Sequence, residues 1–354
     1  MNPPNTTTAP PVFELPVTGL PDAELPGVHS AAGLLGRETA LWLAAHPEKR
    51  RHYGLDLYFR DAWDEFGTVL GGDTARMRDC LNTHALLLLK PDAVVRRRLG
   101  AAFRWLAGQG MEVAAAVPVG VSSHQARAVW CYQWNIATLD RIRITELMMR
   151  RSRSLLVLVR LPADAVPASV RLAHLKGPAL AADRLPHHLR SDLAAVNAVI
   201  NSVHSADEPA DVLRESAVLV DDRAARQELW TAMAEGTVTD PGPVVARLYA
   251  ESEEVTDLDL ATRAARWRTA LATAAPGWGP ALLDEVLDRT RPWHDLPDAA
   301  ARASIPWDDW DTVVVGTNRA PSHLTEGVRI LPWVSLADWT APAPASPAED
   351  RLPG

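Results

Sequence analysis

A histidine and a glutamate at close spacing could carry nucleophilic chemistry in this sequence. His204 follows a short apolar run and enters a small polar turn, and Glu215 comes eleven residues later. An imidazole is a competent nucleophile near neutral pH, and a carboxylate bonded to one ring nitrogen leaves the other nitrogen free to attack. Arg190 and Asn201 on the approach could hold anionic oxygens. The alternative is a histidine that caps a turn beside an unrelated glutamate.

The composition is that of a globular protein with room for two or three domains. The chain has 354 residues, of which 47% are hydrophobic and 23% are charged. Its net charge of −8 argues against binding nucleic acid or an anionic membrane in bulk. Two cysteines are too few for a disulfide framework, and the proline-rich start lacks the features of a signal peptide. No apolar run approaches the length of a membrane span, so we expect a cytoplasmic protein.

Lysine is rare in this chain, which makes each lysine informative. Lysine and arginine together number 36, and the only lysines are Lys49, Lys90 and Lys176. Lys90, at the end of an apolar run, stands where arginine was the more available basic residue. Among the arginines, the clusters at 96–98 and 150–153 are predicted to face solvent.

Four short apolar runs predict the strands of one sheet. They cover residues 84–90, 111–117, 154–161 and 192–196, and helical stretches separate them. This order is typical of a ferredoxin-like α+β fold, an antiparallel sheet with helices on one face. Such a sheet carries many functions, so the fold alone does not assign one.

The rest of the chain divides into segments that flank this sheet. We predict an extended proline-rich arm, a helical segment, the sheet domain, a mostly helical C-terminal domain and a disordered tail, at residues 1–35, 36–82, 83–220, 221–340 and 341–354. Within the C-terminal domain, residues 311–316 and 327–332 look like two strands of a small unit. The acids Asp308, Asp309 and Asp311 are predicted to lie in a loop beside the first of them.

The first predicted strand ends in a recognisable motif. Lys90, Pro91 and Asp92 follow its apolar residues, and Gly100 and Gly110 come later, the second where the first helix ends. This run resembles the opening of the nucleoside diphosphate kinases, in which a strand ends in Lys-Pro-Asp and glycines follow at the same spacing.

The stretch around His204 resembles a second motif of that family. Its members end their active site with an Arg-x-Asp segment and an Asn-x-x-His element, followed by an aspartate and a glutamate. The matching residues here are Arg190 with Asp192, Asn201 with His204, Asp207, and Glu215. The two motifs occur in the family's order, and the resemblance covers residues 83–220.

The resemblance implies a phosphotransferase with a role for each matching residue. His204 would take the terminal phosphoryl group of a nucleoside triphosphate and pass it to an acceptor, while Glu215 would orient its ring. Lys90, Arg190 and Asn201 would contact phosphate or ribose and stabilise the charge that develops in transfer.

The resemblance also implies partners beyond these residues. Arg171 matches a second phosphate-binding arginine if one residue is inserted. Mg²⁺ would bridge the phosphates, held mainly by the nucleotide and water. The family usually assembles as hexamers, so we expect a homo-oligomer of unspecified order. Asp92 is expected to be structural.

The sequence departs from the family at the base and beside the histidine. Ala206 stands where a serine is usual, and the threonine that touches phosphate falls at or near Gly177. Ile142 and Ala198 occupy the aromatic and aliphatic positions that hold the base. A stacking ring could come from the preceding helix, from Trp130, Tyr132 or Trp134, although core packing is the simpler interpretation.

Two functions remain open from the sequence. One is a phosphotransferase whose acceptor is a diphosphate or a specialised small molecule, which the retained His204 and Glu215 favour. The other is a non-catalytic nucleotide-binding regulatory or scaffold module, which Ala206 and Gly177 favour. In a third reading, residues 221–354 act and the kinase-like part senses nucleotide, but no catalytic cluster of residues supports it.

Overall fold

The computed structural model describes residues 41–340. The predicted arm at 1–35 and the predicted tail at 341–354 lie outside the described residues. Within the described range, none of the helices combines the length and the apolar character needed to cross a bilayer.

Four antiparallel strands form one sheet. They are β1 (His84–Leu89), β2 (Glu112–Val119), β3 (Ser154–Arg160) and β4 (Val203–Ser205). Their spatial order is β2-β3-β1-β4, which is the order of a ferredoxin-like sheet. The predicted fold class is therefore confirmed.

Helices precede, connect and follow the strands. Between residues 44 and 83, before the sheet, lie α1 (Pro47–Leu55), α2 (Leu57–Val69) and α3 (Thr74–Thr83). Those between the strands are α4 (Pro91–Val95), α5 (Leu99–Gly108), α6 (Ser123–Trp134), α7 (Leu139–Arg150), α8 (Ala168–Lys176) and α9 (Leu189–Asp192). Those after β4 are α10 (Pro209–Leu219), α11 (Arg223–Glu235), α12 (Gly242–Glu251), α13 (Leu260–Ala274), α14 (Gly279–Leu287), α15 (Asp295–Arg302), α16 (Asp309–Arg319) and α17 (Leu336–Thr340). The predicted helical flanks are present, whereas the domain boundaries stay predictions.

Each face of the sheet packs against its own helices. On one face, Leu87 of β1 and Val157 of β3 pack with α5 and α8. On the other, Leu86 and Leu88 pack with α2, α6, α7 and α10. The prediction of helices on one face only was wrong, because the alternate residues of these strands are apolar on both sides.

The last strand lies further along the chain than predicted. Residues 192–196 do not form a strand, because Leu189–Asp192 is helical and the backbone then turns. The side chain of Asn197 accepts from the backbone N–H groups of Val199 and Ile200, at 2.9 and 2.8 Å. This local bonding competes with an extended conformation and delays the strand to Val203.

The predicted strands at 311–316 and 327–332 are also wrong. Residues 311–316 belong to α16, and 327–332 are irregular. Val313, Val314 and Val315 are all fully buried, so an apolar run that resembles a strand is a helix covered on every side. Asp308 and Asp311 form the capping box of α16 rather than a loop beside a strand.

The N-terminal helices are fixed to α10 by buried ion pairs. Lys49 of α1 contacts Glu208 at 2.8 Å and also pairs with Asp211 at the start of α10. Arg214 of α10 donates to Asp56 at 2.7 Å. Burial opposes the charge on Lys49, but its two carboxylate partners outweigh burial and raise its pKa.

Two arginines predicted to face solvent instead attach the C-terminal helices to the sheet domain. Arg97 donates to the side-chain and backbone oxygens of Ser252 at 2.7 and 2.8 Å and stacks on Tyr249. Arg151 contacts Glu253 at 2.8 Å and Asp309 at 3.1 Å. Both side chains are only half-buried, so the prediction that they face solvent holds in part.

Replacing Asp311 with alanine should strongly destabilise the protein. Its carboxylate accepts from the buried Arg263 at 2.7 Å, from Trp267 at 2.9 Å and from Arg266. Losing one partner of a buried ion pair lowers the free energy of unfolding by about 3 kcal/mol. Here the loss is reduced, because other acidic side chains near Arg263 still offset its charge. Urea unfolding of the full chain measures the change.

The matched control for that experiment is Asp284→Ala. Asp284 pairs with Arg268 on the exposed side of α13, so its loss should leave the unfolding midpoint unchanged. Equal effects of the two substitutions would contradict the assignment of Asp311 to the core.

Candidate active site

A strained turn delivers His204 to the sheet. Ser202, just before β4, has a positive φ of 67°, which is unfavourable for a residue with a side chain. Asp92 accepts from its N–H at 2.7 Å, and its C=O accepts from the N–H of Lys90 at 2.9 Å. Held on both sides, the chain enters β4 with His204 opposite Leu88, on the face that α10 covers.

Lys90 holds the same turn with its side chain. Its amine donates to the C=O of Val199 at 2.6 Å and lies 3.9 Å from Asp92. The side chain is buried, and burial lowers its pKa to about 8, with Arg190 and other arginines acting in the same direction and Asp92 against it. A buried ammonium with weak compensation has free energy to gain from an anionic ligand.

His204 and Glu215 form a hydrogen-bonded pair. Nε2 of His204 lies 2.8 Å from a carboxylate oxygen of Glu215, which α10 carries and buries. The other ring nitrogen, Nδ1, accepts from the indole N–H of Trp130 at 3.3 Å. An indole is only a donor and a carboxylate is only an acceptor. Both contacts therefore require the proton on Nε2 and a lone pair on Nδ1.

Arg190 and Asn201 approach the same turn, and both donate to backbone oxygens. Arg190 contacts the C=O of Gly177 at 2.6 Å and of Val203 at 2.9 Å. Asn201 donates to Ala198 at 2.9 Å. Burial, followed by the charge of Arg184, lowers the pKa of Arg190 to about 10. The structure thus gathers four of the predicted residues around the β4 turn, and α10 adds Glu215.

The family model for nucleoside diphosphate kinase matches residues 83–224. This part of the chain is a nucleoside diphosphate kinase domain. Membership supports a kinase-like phosphotransferase that acts on nucleotides, at the level of the family. No curated protein sequence matches the chain.

Arg171 lies outside the group that the nucleoside diphosphate kinase domain gathers. Its guanidinium donates to the C=O of Pro162 and lies 3.9 Å from Asp164, and both of these residues belong to the loop before α8. Five residues later on α8, Lys176 donates to Ser205 at 2.7 Å and to Asp207 at 3.2 Å. The cation that α8 contributes beside β4 is therefore Lys176, which the sequence interpretation missed.

A signal for Lys176 was present in the sequence. Lys49, Lys90 and Lys176 are the chain's only lysines, and all three are buried. The rarity that drew attention to Lys90 applied equally to the other two. For Trp130 no comparable signal existed, since its contact with His204 depends on how α6 packs.

The structure gives a reason for one departure of the nucleoside diphosphate kinase domain from its family. Gly177 has a positive φ of 81°, and a Cβ at this position would lie 2.5 Å from the ring of His188. Threonine at 177 would therefore be both strained and in collision. Ala206 is fully buried in the core below β4.

Affinity for a triphosphate should fall as the pH rises above 8. Protonated Lys90 is the form that attracts phosphate, and its pKa of about 8 means that the ligand-free protein loses this charge through that value. Binding should be undiminished below pH 8 and then weaken by up to about tenfold per pH unit. Calorimetric titration with a non-hydrolysable triphosphate at pH 7, 8 and 9 measures it.

Lys90→Arg is the matched control, because a guanidinium keeps its charge throughout this range. Its affinity should change little between pH 7 and 9. An equal decline in both proteins would show that another group titrates.

Proposed function

We propose that the nucleoside diphosphate kinase domain moves the terminal phosphoryl group of a nucleoside triphosphate through phospho-His204 to a small-molecule acceptor. The observation that carries the proposal is the bond between Nε2 of His204 and Glu215. It leaves Nδ1 as the nucleophilic atom, and the indole N–H of Trp130 must release the Nδ1 lone pair before attack. A histidine that merely capped a turn would need no buried carboxylate behind it.

The transfer balances on these two residues. The Nδ1 lone pair forms a bond to the terminal phosphorus, and the bond from phosphorus to the bridging oxygen breaks, with its electron pair leaving on the diphosphate. The phosphorylated ring carries a positive charge, which the Glu215 carboxylate offsets through the Nε2 proton. An anionic oxygen of the acceptor then attacks the same phosphorus and releases the neutral ring.

Lys90, Arg190 and Asn201 would support this chemistry by exchanging partners. Each now donates to a backbone oxygen of the turns that precede and follow α9. Phosphate oxygens would replace those carbonyls and form stronger, charge-assisted bonds. Arg171 contacts Pro162 and Asp164 before α8, away from the other four residues, so it is not part of the proposed site.

The family uses Mg²⁺ together with its nucleotide. Among residues 41–340, no group of three or more histidine, cysteine, aspartate or glutamate side chains could hold a metal ion. As the resemblance implies, Mg²⁺ would be held mainly by the phosphates and by water. When bound, Mg²⁺ would neutralise phosphate charge. The homo-oligomer stays a prediction.

A second candidate function is a nucleotide-binding regulatory or scaffold module without turnover. Its support is that Ala206 and Gly177 lack the hydroxyls that the family places beside the histidine and the phosphate, whereas the buried cations Lys90 and Arg190 remain available to bind phosphate. Phosphorylation of His204 distinguishes the two candidates.

Incubation with a nucleoside triphosphate and Mg²⁺ should add one phosphoryl group at His204. Intact mass at neutral pH should show the addition, and acid should remove it because phosphohistidine is acid-labile. His204→Ala should not be labelled. Glu215→Gln, which keeps the shape but loses the charge, should be labelled about 100-fold more slowly. Absence of labelling with every common triphosphate would favour the second candidate.

Discharge from the labelled protein to ADP, GDP, CDP and UDP should be slow. Ile142 and Ala198 provide no ring for stacking, which is worth about 1–3 kcal/mol per base. Ala206 and Gly177 lack hydroxyls that would each contribute about 0.5–1.5 kcal/mol. Loss of label is measured against a panel of phosphate acceptors without a base. Fast discharge to all four diphosphates would mean that the base site is intact.

A further inference from the structure

Helix α16 lies directly against α7, which carries one wall of the expected base site. The two helices approach so closely that a Cβ on Gly316 would come within 2.5 Å of Ile144. Trp293, which precedes α15, donates to Asp140 of α7 at 3.0 Å. The C-terminal region is therefore packed onto the helix that bears Ile142.

The segment after α16 continues along the connection between α6 and α7. The N–H of Leu324 donates to the C=O of Ile136 at 2.8 Å. Asn135 donates to the C=O of Val328 at 2.6 Å, and Thr138 donates to the C=O of Pro321. These backbone contacts cover the start of α7.

Helix α16 also reaches the opposite wall of the expected base site, which carries Ala198. Thr317 accepts from the side chain of Asn197 at 3.0 Å, next to Ala198. The cavity between α16, α7 and the chain at 199, lined by Arg141, Ile144, Val199, Thr317 and other residues, is about 10 Å³. That is room for about one water molecule. Helix α16 therefore bridges the two segments that carry Ile142 and Ala198, and it leaves no room for a base among these contacts.

A larger open space lies next to the turn before β4, and cationic side chains line it. A cavity of about 390 Å³ is lined by residues that include Lys176, His188, Arg190 and Asp207. Burial lowers the pKa of Lys176, and Arg190 lowers it further. Asp207 is the one acidic residue in this lining, so the cavity favours a ligand with several negative charges.

We propose that the phosphoryl donor is recognised by its triphosphate chain alone, because α16 and Thr317 occupy the place of the base. The inference rests on the proposed function and widens its donor from nucleoside triphosphates to any triphosphate, inorganic triphosphate included. Nδ1 of His204 bonds to the terminal phosphorus and the bridging P–O bond breaks. The electron pair leaves on pyrophosphate when the donor is inorganic triphosphate, and on the nucleoside diphosphate when the donor is a nucleoside triphosphate.

Calorimetry on full-length His204→Asn tests the recognition without turnover. The ligands are inorganic triphosphate, ATP, GTP, CTP and UTP, each with Mg²⁺. Their dissociation constants should agree within about threefold, since the base and ribose make no differential contact. Lys90→Ala, added to this variant, should weaken all five by about 10- to 100-fold. Arg268→Ala, on the exposed face of α13, should weaken none.

Tenfold tighter binding of any nucleoside triphosphate than of inorganic triphosphate would overturn the inference, as would no binding of inorganic triphosphate. Labelling of the wild-type protein separates this outcome from the proposed function. If ATP labels His204 and inorganic triphosphate does not, the inference fails and the phosphotransferase stands. If all five ligands bind equally and none labels, the phosphotransferase fails and recognition by the triphosphate chain stands.

Discussion

The left-handed backbone of Ser202 is the constraint on which the site depends. A side chain at that conformation costs about 1–2 kcal/mol, and the chain adopts it because Asp92 and the N–H of Lys90 hold the two sides of Ser202. The turn sets which face of the sheet β4 presents, and a slip of one residue would send His204 to the opposite core. The Lys-Pro-Asp motif thus orients His204 before this histidine contacts any ligand.

The same motif leaves a buried ammonium with incomplete compensation. The amine of Lys90 donates to the C=O of Val199, which carries no compensating charge, and the charges of neighbouring arginines lower the pKa of the amine. A phosphate would relieve that cost, so stability without ligand and affinity for ligand are in tension at one side chain. The helices that flank the sheet domain stabilise it and so offset this cost, since buried ion pairs and close contacts attach α1, α2 and α16 to the domain.

The order of the apolar runs predicted the fold class, and the resemblance to the nucleoside diphosphate kinases implied the pairing of His204 with Glu215 and a shared site for Lys90, Arg190 and Asn201. The failures have physical causes. The side chain of Asn197 accepts from the N–H of Val199, and this local turn shortens β4. The consecutive valines of α16 are buried on every side of the helix, so their pattern does not show a helical period. Lys176 and Trp130 reach β4 only through the packing of α8 and α6, and a single sequence carries no direct record of such contacts.

The position of the phosphoryl group on the ring tests the account most directly. Glu215 bonds Nε2, so Nδ1 is the atom that attacks once the indole N–H of Trp130 releases it. Phosphorus NMR of the full-length protein, labelled by a triphosphate and kept at neutral or basic pH, resolves the two isomers of phosphohistidine. The account predicts a single signal from phosphorus on Nδ1 that disappears in His204→Ala. Phosphorus on Nε2 would contradict it.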